Sequence, residues 1–191
     1  MRKIVVTEFL SLDGVFEAPG DDGSDYKFKG WTSPYGGEEF QKFKTEELDE
    51  TDILLLGRIT YDAFAIAWPK MEETAGEFGK KFNSMPKYVL SNTLENPSWK
   101  NSHVIKGENA VEEIKKLKAE DGGDITVHGS GQVARFLMEH KLVDQFNLLV
   151  YPVVLGEGKR LFEGAVKTDL VLVESQQLKT GVVLLQYKPK K

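Results

Sequence analysis

The feature that most constrains this chain is a pattern that occurs twice, in which an uninterrupted apolar run passes through glycine straight into a segment with helical spacing. Ile53-Leu54-Leu55-Leu56 leads into Gly57-Arg58-Ile59-Thr60, and Ile125-Thr126-Val127-His128 leads into Gly129-Ser130-Gly131-Gln132. A short run without polar alternation suits a strand covered on both faces, as in a parallel sheet with helices on either side. Ile4 to Phe9, Tyr88 to Leu90 and His103 to Ile105 read the same way. Helical periodicity marks Glu38 to Glu50, Thr60 to Trp68, Ala110 to Ala119 and Gly131 to His140. The third of these has Asn109 at its N-cap and Glu112 spaced for a capping box; the fourth aligns Val133, Phe136, Leu137 and His140 on one stripe. Beyond residue 144 strands follow one another without helices: Phe146 to Val154, Leu170 to Glu174 and Val182 to Tyr187, the last two joined through Lys179-Thr180-Gly181. The expected fold class is therefore α/β, a mixed and mostly parallel central sheet with helices on both faces and antiparallel C-terminal strands, formed by residues 1–191 as one domain.

Composition narrows the chemistry. A chain of 191 residues buries roughly 70% of its unfolded surface and needs no staple. Cysteine is absent, which removes disulfides, thiolate nucleophiles and Cys-based metal centres. The formal charge of -5 is spread over interleaved acids and bases, so no nucleic-acid surface is expected, and Lys188-Pro189-Lys190-Lys191 reads as a solvated tail. Met1-Arg2-Lys3 precedes an apolar run, but Glu8 and Asp13 interrupt it before it reaches signal-peptide length. No stretch has the ~18 apolar residues of a membrane span, so the expectation is a cytoplasmic protein without a membrane partner.

Each glycine exit has the parts of an anion cradle. Glycine lets backbone approach a ligand, the following helix start offers free N–H groups, and Arg58 adds a planar charge. A plainer reading has Gly57 as a corner, Thr60 as a helix cap and Arg58 paired with a surface acid. Gly129-Ser130-Gly131 repeats the arrangement, with Ser130 at the N-cap, but lacks the third glycine of the dinucleotide fingerprint and on its own reads as a corner. Two such exits in one parallel sheet share an edge, and ligands of open α/β sheets bind at the carboxyl ends of strands. Ser91-Asn92-Thr93 and Ser11-Leu12-Asp13-Gly14 add further polar exits. Four exits suit an extended ligand with several polar groups, and a dinucleotide has that form. His103, His128 and His140 lack metal-ligand spacing, and no metal is expected. Asp21-Asp22-Gly23-Ser24-Asp25 resembles a calcium loop in composition only. It lies in the longest loop, Ala18 to Gly37, near Trp31, Tyr35, Phe40 and Phe43, which are either core or the wall of a flat heterocycle site.

Together these segments resemble the dihydrofolate reductase-like family, in the branch similar to the C-terminal reductase domain of the bifunctional riboflavin-biosynthesis deaminase/reductase. The resemblance rests on Ser11-Leu12-Asp13-Gly14, on Asp52 to Tyr61, on Lys87 to Ser91, and on a C-terminal block of Ile125 to Gly131, Leu142-Val143-Asp144 and Tyr151 to Phe162. It implies a three-layer sandwich that binds NADPH across its strand ends and reduces a small polar heterocycle or a ribosylaminopyrimidine-type substrate. On that reading Gly57, Arg58 and Thr60 meet the cofactor's phosphates and adenosine side, Ser91 lies near the 2′-phosphate, and Gly129, Ser130, Gly131 and Gln132 hold the pyrophosphate. Asp13 and Gly14 belong to the loop beside the nicotinamide. Hydride transfer also needs a proton, for which Asp13, Glu38 and Glu39 are the candidates; dihydrofolate reductase proper carries its acid on the first helix, and Glu38 and Glu39, which precede Phe40-Gln41-Lys42-Phe43, do not align with it, a departure from that enzyme's pattern. The alternatives are dihydrofolate reduction and a nucleotide-binding module without turnover. The resemblance further implies a homodimer, and the strand Phe146 to Tyr151 reads as either sheet core or its interface.

Overall fold

The computed structural model describes residues 1–21 and 23–190; Asp22 of the acidic loop and Lys191 of the basic tail lie outside the described residues. The strands are β1 (Ile4–Ser11), β2 (Thr51–Gly57), β3 (Lys87–Leu90), β4 (Ser102–Ile105), β5 (Asp124–His128), β6 (Gln145–Tyr151), β7 (Leu170–Gln177) and β8 (Val183–Pro189). The helices are α1 (Glu38–Glu50), α2 (Arg58–Met71), α3 (Gly76–Ser84), α4 (Ala110–Ala119) and α5 (Gly131–Glu139). The strands join one sheet in the order β4-β3-β2-β5-β1-β6-β8-β7. All pairings from β4 across to β6 are parallel, and β8 runs antiparallel to both β6 and β7. This is the expected α/β class with an antiparallel C-terminal edge.

The pleat sorts side chains to two faces. Ile4, Val6 and Leu10 of β1, Leu55 of β2 and Val127 of β5 pack with Ile114 of α4 and Leu137 of α5. Leu54 and Leu56 point the other way, onto Leu48 of α1, Tyr61 of α2 and Phe82 of α3. A third cluster on the α1 side joins Trp31, Leu149, Tyr151, Leu178 and Leu184. The result is three layers, with Leu54, Leu55 and Leu56 all 0% exposed. Burying each such side chain stabilises the fold by roughly 1.5–3 kcal/mol. Phe146 and Leu149 are likewise 0% exposed, so the strand expected to be core or interface is core.

Several local expectations need correction. Asn109 makes no side-chain cap to α4, because a 3-10 turn at Gly107–Asn109 precedes the helix. Its intended partner Glu112 instead accepts from Lys115 at 3.1 Å. His140 is exposed at the C-cap of α5, and its ring keeps to the stripe only through Phe136, 4.5 Å away between centroids. α2 runs past Pro69 to Met71, since a proline near a helix end removes a single backbone donor. α3 is absent from the expected helices although Phe78 and Phe82 recur on its core face, and it packs close to the end of α2: a Cβ at Gly79 would lie 2.9 Å from the Glu72 carbonyl oxygen and from the Ala75 Cβ.

The parallel order also places the site. β1, β2, β3 and β5 run the same way, so their exits at Ser11, Gly57, Leu90 and His128 share one edge of the sheet.

Candidate active site

The two glycine exits are stitched together. β2 and β5 are neighbours, and the Gly57 N–H donates to Ser130 Oγ at 2.8 Å. Ser130 Oγ donates in turn to Thr60 Oγ1 at 3.0 Å, and Thr60 Oγ1 donates to the Gly129 carbonyl at 3.0 Å. One directional chain of hydrogen bonds therefore links the start of α2 to the start of α5. Neither Ser130 nor Thr60 caps a helix through its side chain as expected; each hydroxyl is used across the seam instead. Gly129 holds φ +62°, in the left-handed region that favours glycine. The first intrahelical bond of α5 runs from Ala134 N–H to Ser130 C=O, so the N–H groups of Gly131, Gln132 and Val133 precede it and have no partner within the helix. Gly131 has no room for a side chain, because a Cβ there would lie 2.4 Å from the ring of Phe16. The loop after β1 thus rests directly on the second glycine exit.

Arg58 is paired with a surface acid, as its plainer reading has it. Its Nε donates to the Asp62 carboxylate at 2.7 and 2.9 Å, while Nη1 reaches Thr93 Oγ1 at 3.4 Å on the third exit. Ser91 Oγ accepts the N–H groups of Thr93 and Leu94 at 3.2 and 3.0 Å. It therefore braces its own turn, and Thr93 and Arg58 are the polar groups that face outward there.

Asp13 is fully engaged. Ser11 Oγ donates to it at 2.7 Å, and the N–H groups of Leu155 and Gly156 at 3.1 and 2.9 Å. Arg160 adds a contact at 3.5 Å. Burial pushes this carboxyl up, but the hydrogen bonds from Ser11, Leu155 and Gly156 outweigh it and bring the pKa down to about 2. Asp13 is therefore ionised at neutral pH and holds the loop after β6 to the turn after β1, with Gly14 at φ +81° forming that turn. Such a carboxylate suits a latch better than a proton donor.

Glu39 lies apart from the cradle. Its carboxylate accepts the Lys179 N–H at 2.6 Å, and with Phe40, Leu178 and Thr180 it borders a cavity of about 210 Å³. Beside this cavity the aromatic cluster centres on Tyr151, which meets Phe9, Trp31 and Tyr35 edge-on at centroid distances of 5.7, 5.2 and 5.7 Å. The loop aromatics are thus mainly core, at the border of the cavity.

Two groups of polar residues were not foreseen. On the α1 face, Lys44 pairs with Glu47 and lies 3.5 Å from Thr7 Oγ1, and Glu47 accepts from Asn147 at 2.8 Å. Burial raises the Glu47 carboxyl, but the Lys44 ammonium outweighs it and holds it below the carboxylate range. His128, at the end of β5, is driven down to about 3 by burial and then by the Lys44 charge, so it is a neutral imidazole. On the opposite face Glu8 is 3% exposed, and its Oε1 has no hydrogen-bond partner. Burial pushes Glu8 up to about 8, against the opposing influence of Lys44, the Ser130 and Gly129 amides and Arg135. The sequence does carry a signal for Glu8: it stands at a core-facing position, in step with Val6 and Leu10.

Comparisons with known proteins agree with this architecture. The family model for the RibD C-terminal domain matches residues 2–184. The uncharacterised protein YyaP of Bacillus subtilis (strain 168) is 35% identical over 189 residues, covering 97% of this chain and 94% of that protein. Among solved structures, a putative riboflavin biosynthesis protein from Shewanella sp. PV-4 superposes with a TM-score of 0.75 at 22% identity, covering 99% of both chains. Dihydrofolate reductase from Enterococcus faecalis, solved with NADP(H), superposes with a TM-score of 0.62 at 16% identity, covering 99% of this chain and 97% of that one. The sandwich is thus of the dihydrofolate reductase-like kind.

Proposed function

The chain belongs to the RibD C-terminal domain family, a family of the riboflavin-biosynthesis reductase type, and from that premise we propose that it is an NADPH-dependent reductase acting on a small polar heterocycle or a ribosylaminopyrimidine-type substrate. One observation carries this reading: the hydrogen-bond chain Gly57–Ser130–Thr60–Gly129 fixes two helix N-termini side by side at the carboxyl edge of the sheet. A dinucleotide presents its diphosphate to such an edge. The residues fit that group, because Gly129 at φ +62° turns the chain into α5 and the first amides of that helix have no partner within it.

In this reading the amides of Gly131 and Gln132 hold the diphosphate, and Arg58, braced by Asp62, offers its remaining N–H groups to a 2′-phosphate beside Ser91 and Thr93. When bound, the reduced nicotinamide supplies the hydride. Phe16 lies against Gly131 and shields that end of the cradle from water. Asp13 keeps the turn after β1 in place through Leu155 and Gly156. Glu39, at the cavity beside the aromatic cluster, is the carboxyl we assign to proton delivery. Among the described residues no helix is long and apolar enough to cross a membrane, in keeping with a cytoplasmic enzyme. The open edge of β7, where Val171, Leu172 and Val173 are about half exposed, is the surface we assign to a homodimer.

The test is a fluorescence titration of the purified protein with NADPH and, separately, NADH, followed by turnover with ribosylaminopyrimidines and with dihydrofolate. NADPH-selective binding with pyrimidine turnover supports the proposal. Turnover of dihydrofolate alone replaces the substrate, binding without any turnover reduces the protein to a nucleotide-binding module, and no binding up to millimolar concentration overturns the reading.

A further inference from the structure

Glu8 lies directly under the cradle. It shares its face of β1 with Val6 and Leu10, beneath α5, and the register places Leu148 of β6 beside it and His128 beside the preceding Thr7. The carboxyl is 97% buried by its 3% exposure, with Oε1 unpartnered. The amides of Gly129 and Ser130 act on it from the elbow, Arg135 from α5 and Lys44 from α1. Nothing in the packing of an α/β core calls for a carboxyl here, and an isolated buried charge is strongly unfavourable.

A helix N-terminus attracts one anion, and two anions at the same end repel each other. We propose that Glu8 is a proton-coupled gate of the cradle: its carboxyl is protonated when a diphosphate-bearing ligand occupies Gly129 to Gln132, so that binding takes up a proton and ionisation of Glu8 expels the ligand. This inference rests on the cofactor reading above and assigns a ligand-coupled role to a residue outside the cradle's surface. Glu8 acts through the elbow amides and does not touch the reacting atoms, so it is a positioning residue. Its displacement to about 8 by burial puts the change near neutral to mildly alkaline pH. The charged groups that act on it are Arg135 from α5 and, across the sheet, Lys44 from α1, with His128 on the adjoining strand; His128, held at about 3, is silent in this range. The phosphomonoester of NADPH, with a second pKa of about 6, is fully ionised above pH 7 and does not confuse the profile.

The experiment measures NADPH affinity from pH 7 to 9.5 for the wild-type protein and for Glu8→Gln, with calorimetry in two buffers of different ionisation enthalpy to count protons. In the wild type the Kd is expected to rise toward tenfold per pH unit above about 8, following the fraction of Glu8 ionised, with net proton uptake on binding. Glu8→Gln is expected to bind equally tightly across the range and to take up none. Carbon-13 NMR of the glutamate carboxyls of the wild type gives an independent reading should the variant fail to fold: the alkaline midpoint is expected to rise when NADPH is added. NADPH binding with a flat wild-type profile, an unchanged slope in Glu8→Gln, or a midpoint that ignores the ligand overturns the gate and leaves the cofactor reading standing. Absence of NADPH binding at every pH overturns both.

Discussion

The Ser130 hydroxyl accepts the Gly57 amide at 2.8 Å although the two residues stand 73 positions apart. This bond ties the start of α2 to the start of α5, because the same hydroxyl donates to Thr60 Oγ1, which closes the chain on the Gly129 carbonyl. The geometry of the candidate cradle is thus set by side chains rather than by the sheet alone.

Replacing Ser130 with Ala leaves the Gly57 N–H without its partner, and Ser130 itself is only 5% exposed. An orphaned buried donor costs about 1–3 kcal/mol. Urea unfolding of Ser130→Ala is expected to show a loss in that range, together with weaker NADPH binding. Ser130→Thr, which keeps the hydroxyl, is expected to recover most of both; equal loss in the two variants would mean that volume, not the hydrogen bond, matters at this position.

Arg58 offers a sharper test of cofactor choice. Its Nε is committed to Asp62, and the outer N–H groups face the exit that carries Ser91 and Thr93. A charge-assisted bond to a phosphate contributes about 1.5–3 kcal/mol, so Arg58→Ala is expected to weaken NADPH by roughly 10- to 100-fold and NADH far less. Parallel titrations with the two cofactors measure the difference, and equal losses would move Arg58 to the diphosphate.

Much of this was legible in the sequence because glycine after a continuous apolar run marks a parallel strand's exit whatever the partner strand is. What joins the exits was not, since Gly57–Ser130 and Asp13–Gly156 are contacts between distant segments. Ser130 and Asn109 look like helix caps by local rules, yet tertiary geometry gives one hydroxyl another partner and puts a 3-10 turn before the other helix. Lys44 and Glu47 have the spacing of a solvated helical pair, and only the packing of α1 on β1 and β6 shows them buried. Glu8 was visible as a break in an apolar run; that it faces α5 depends on strand parity and on which helix covers that face.

Glu8 also makes a prediction about stability. A carboxyl raised from 4.5 to about 8 in the fold binds its proton more tightly there than in the unfolded chain. Its contribution is therefore fully present below pH 4.5 and is lost as pH rises through about 8. Each unit of displacement corresponds to about 1.4 kcal/mol, so several kcal/mol are at stake. Glu8→Gln is expected to match the wild type near pH 4.5 and to exceed its melting temperature increasingly up to pH 8. Melting curves across that range check this, and parallel curves would show that Glu8 ionises in the fold as it does in water.

Asp13 behaves in the opposite sense. Its pKa falls from 3.8 to about 2, so its contribution is present above pH 3.8 and disappears as pH falls through about 2. Its side chain is 21% exposed, and after allowance for screening the effect amounts to about 2 kcal/mol at most. Asp13→Asn keeps one acceptor oxygen and replaces the other with a donor aimed at the amides of Leu155 or Gly156. The variant is therefore expected to be about 1–2 kcal/mol less stable at neutral pH, with a deficit that closes toward pH 2. Amide exchange should quicken at Leu155 and Gly156 while β6 stays protected. Turnover in this variant separates the two roles a carboxylate can have at this turn. A loss confined to KM, with kcat retained, marks a latch that shapes the loop, whereas loss of kcat with unchanged exchange at Leu155 and Gly156 would make Asp13 the proton donor in place of Glu39.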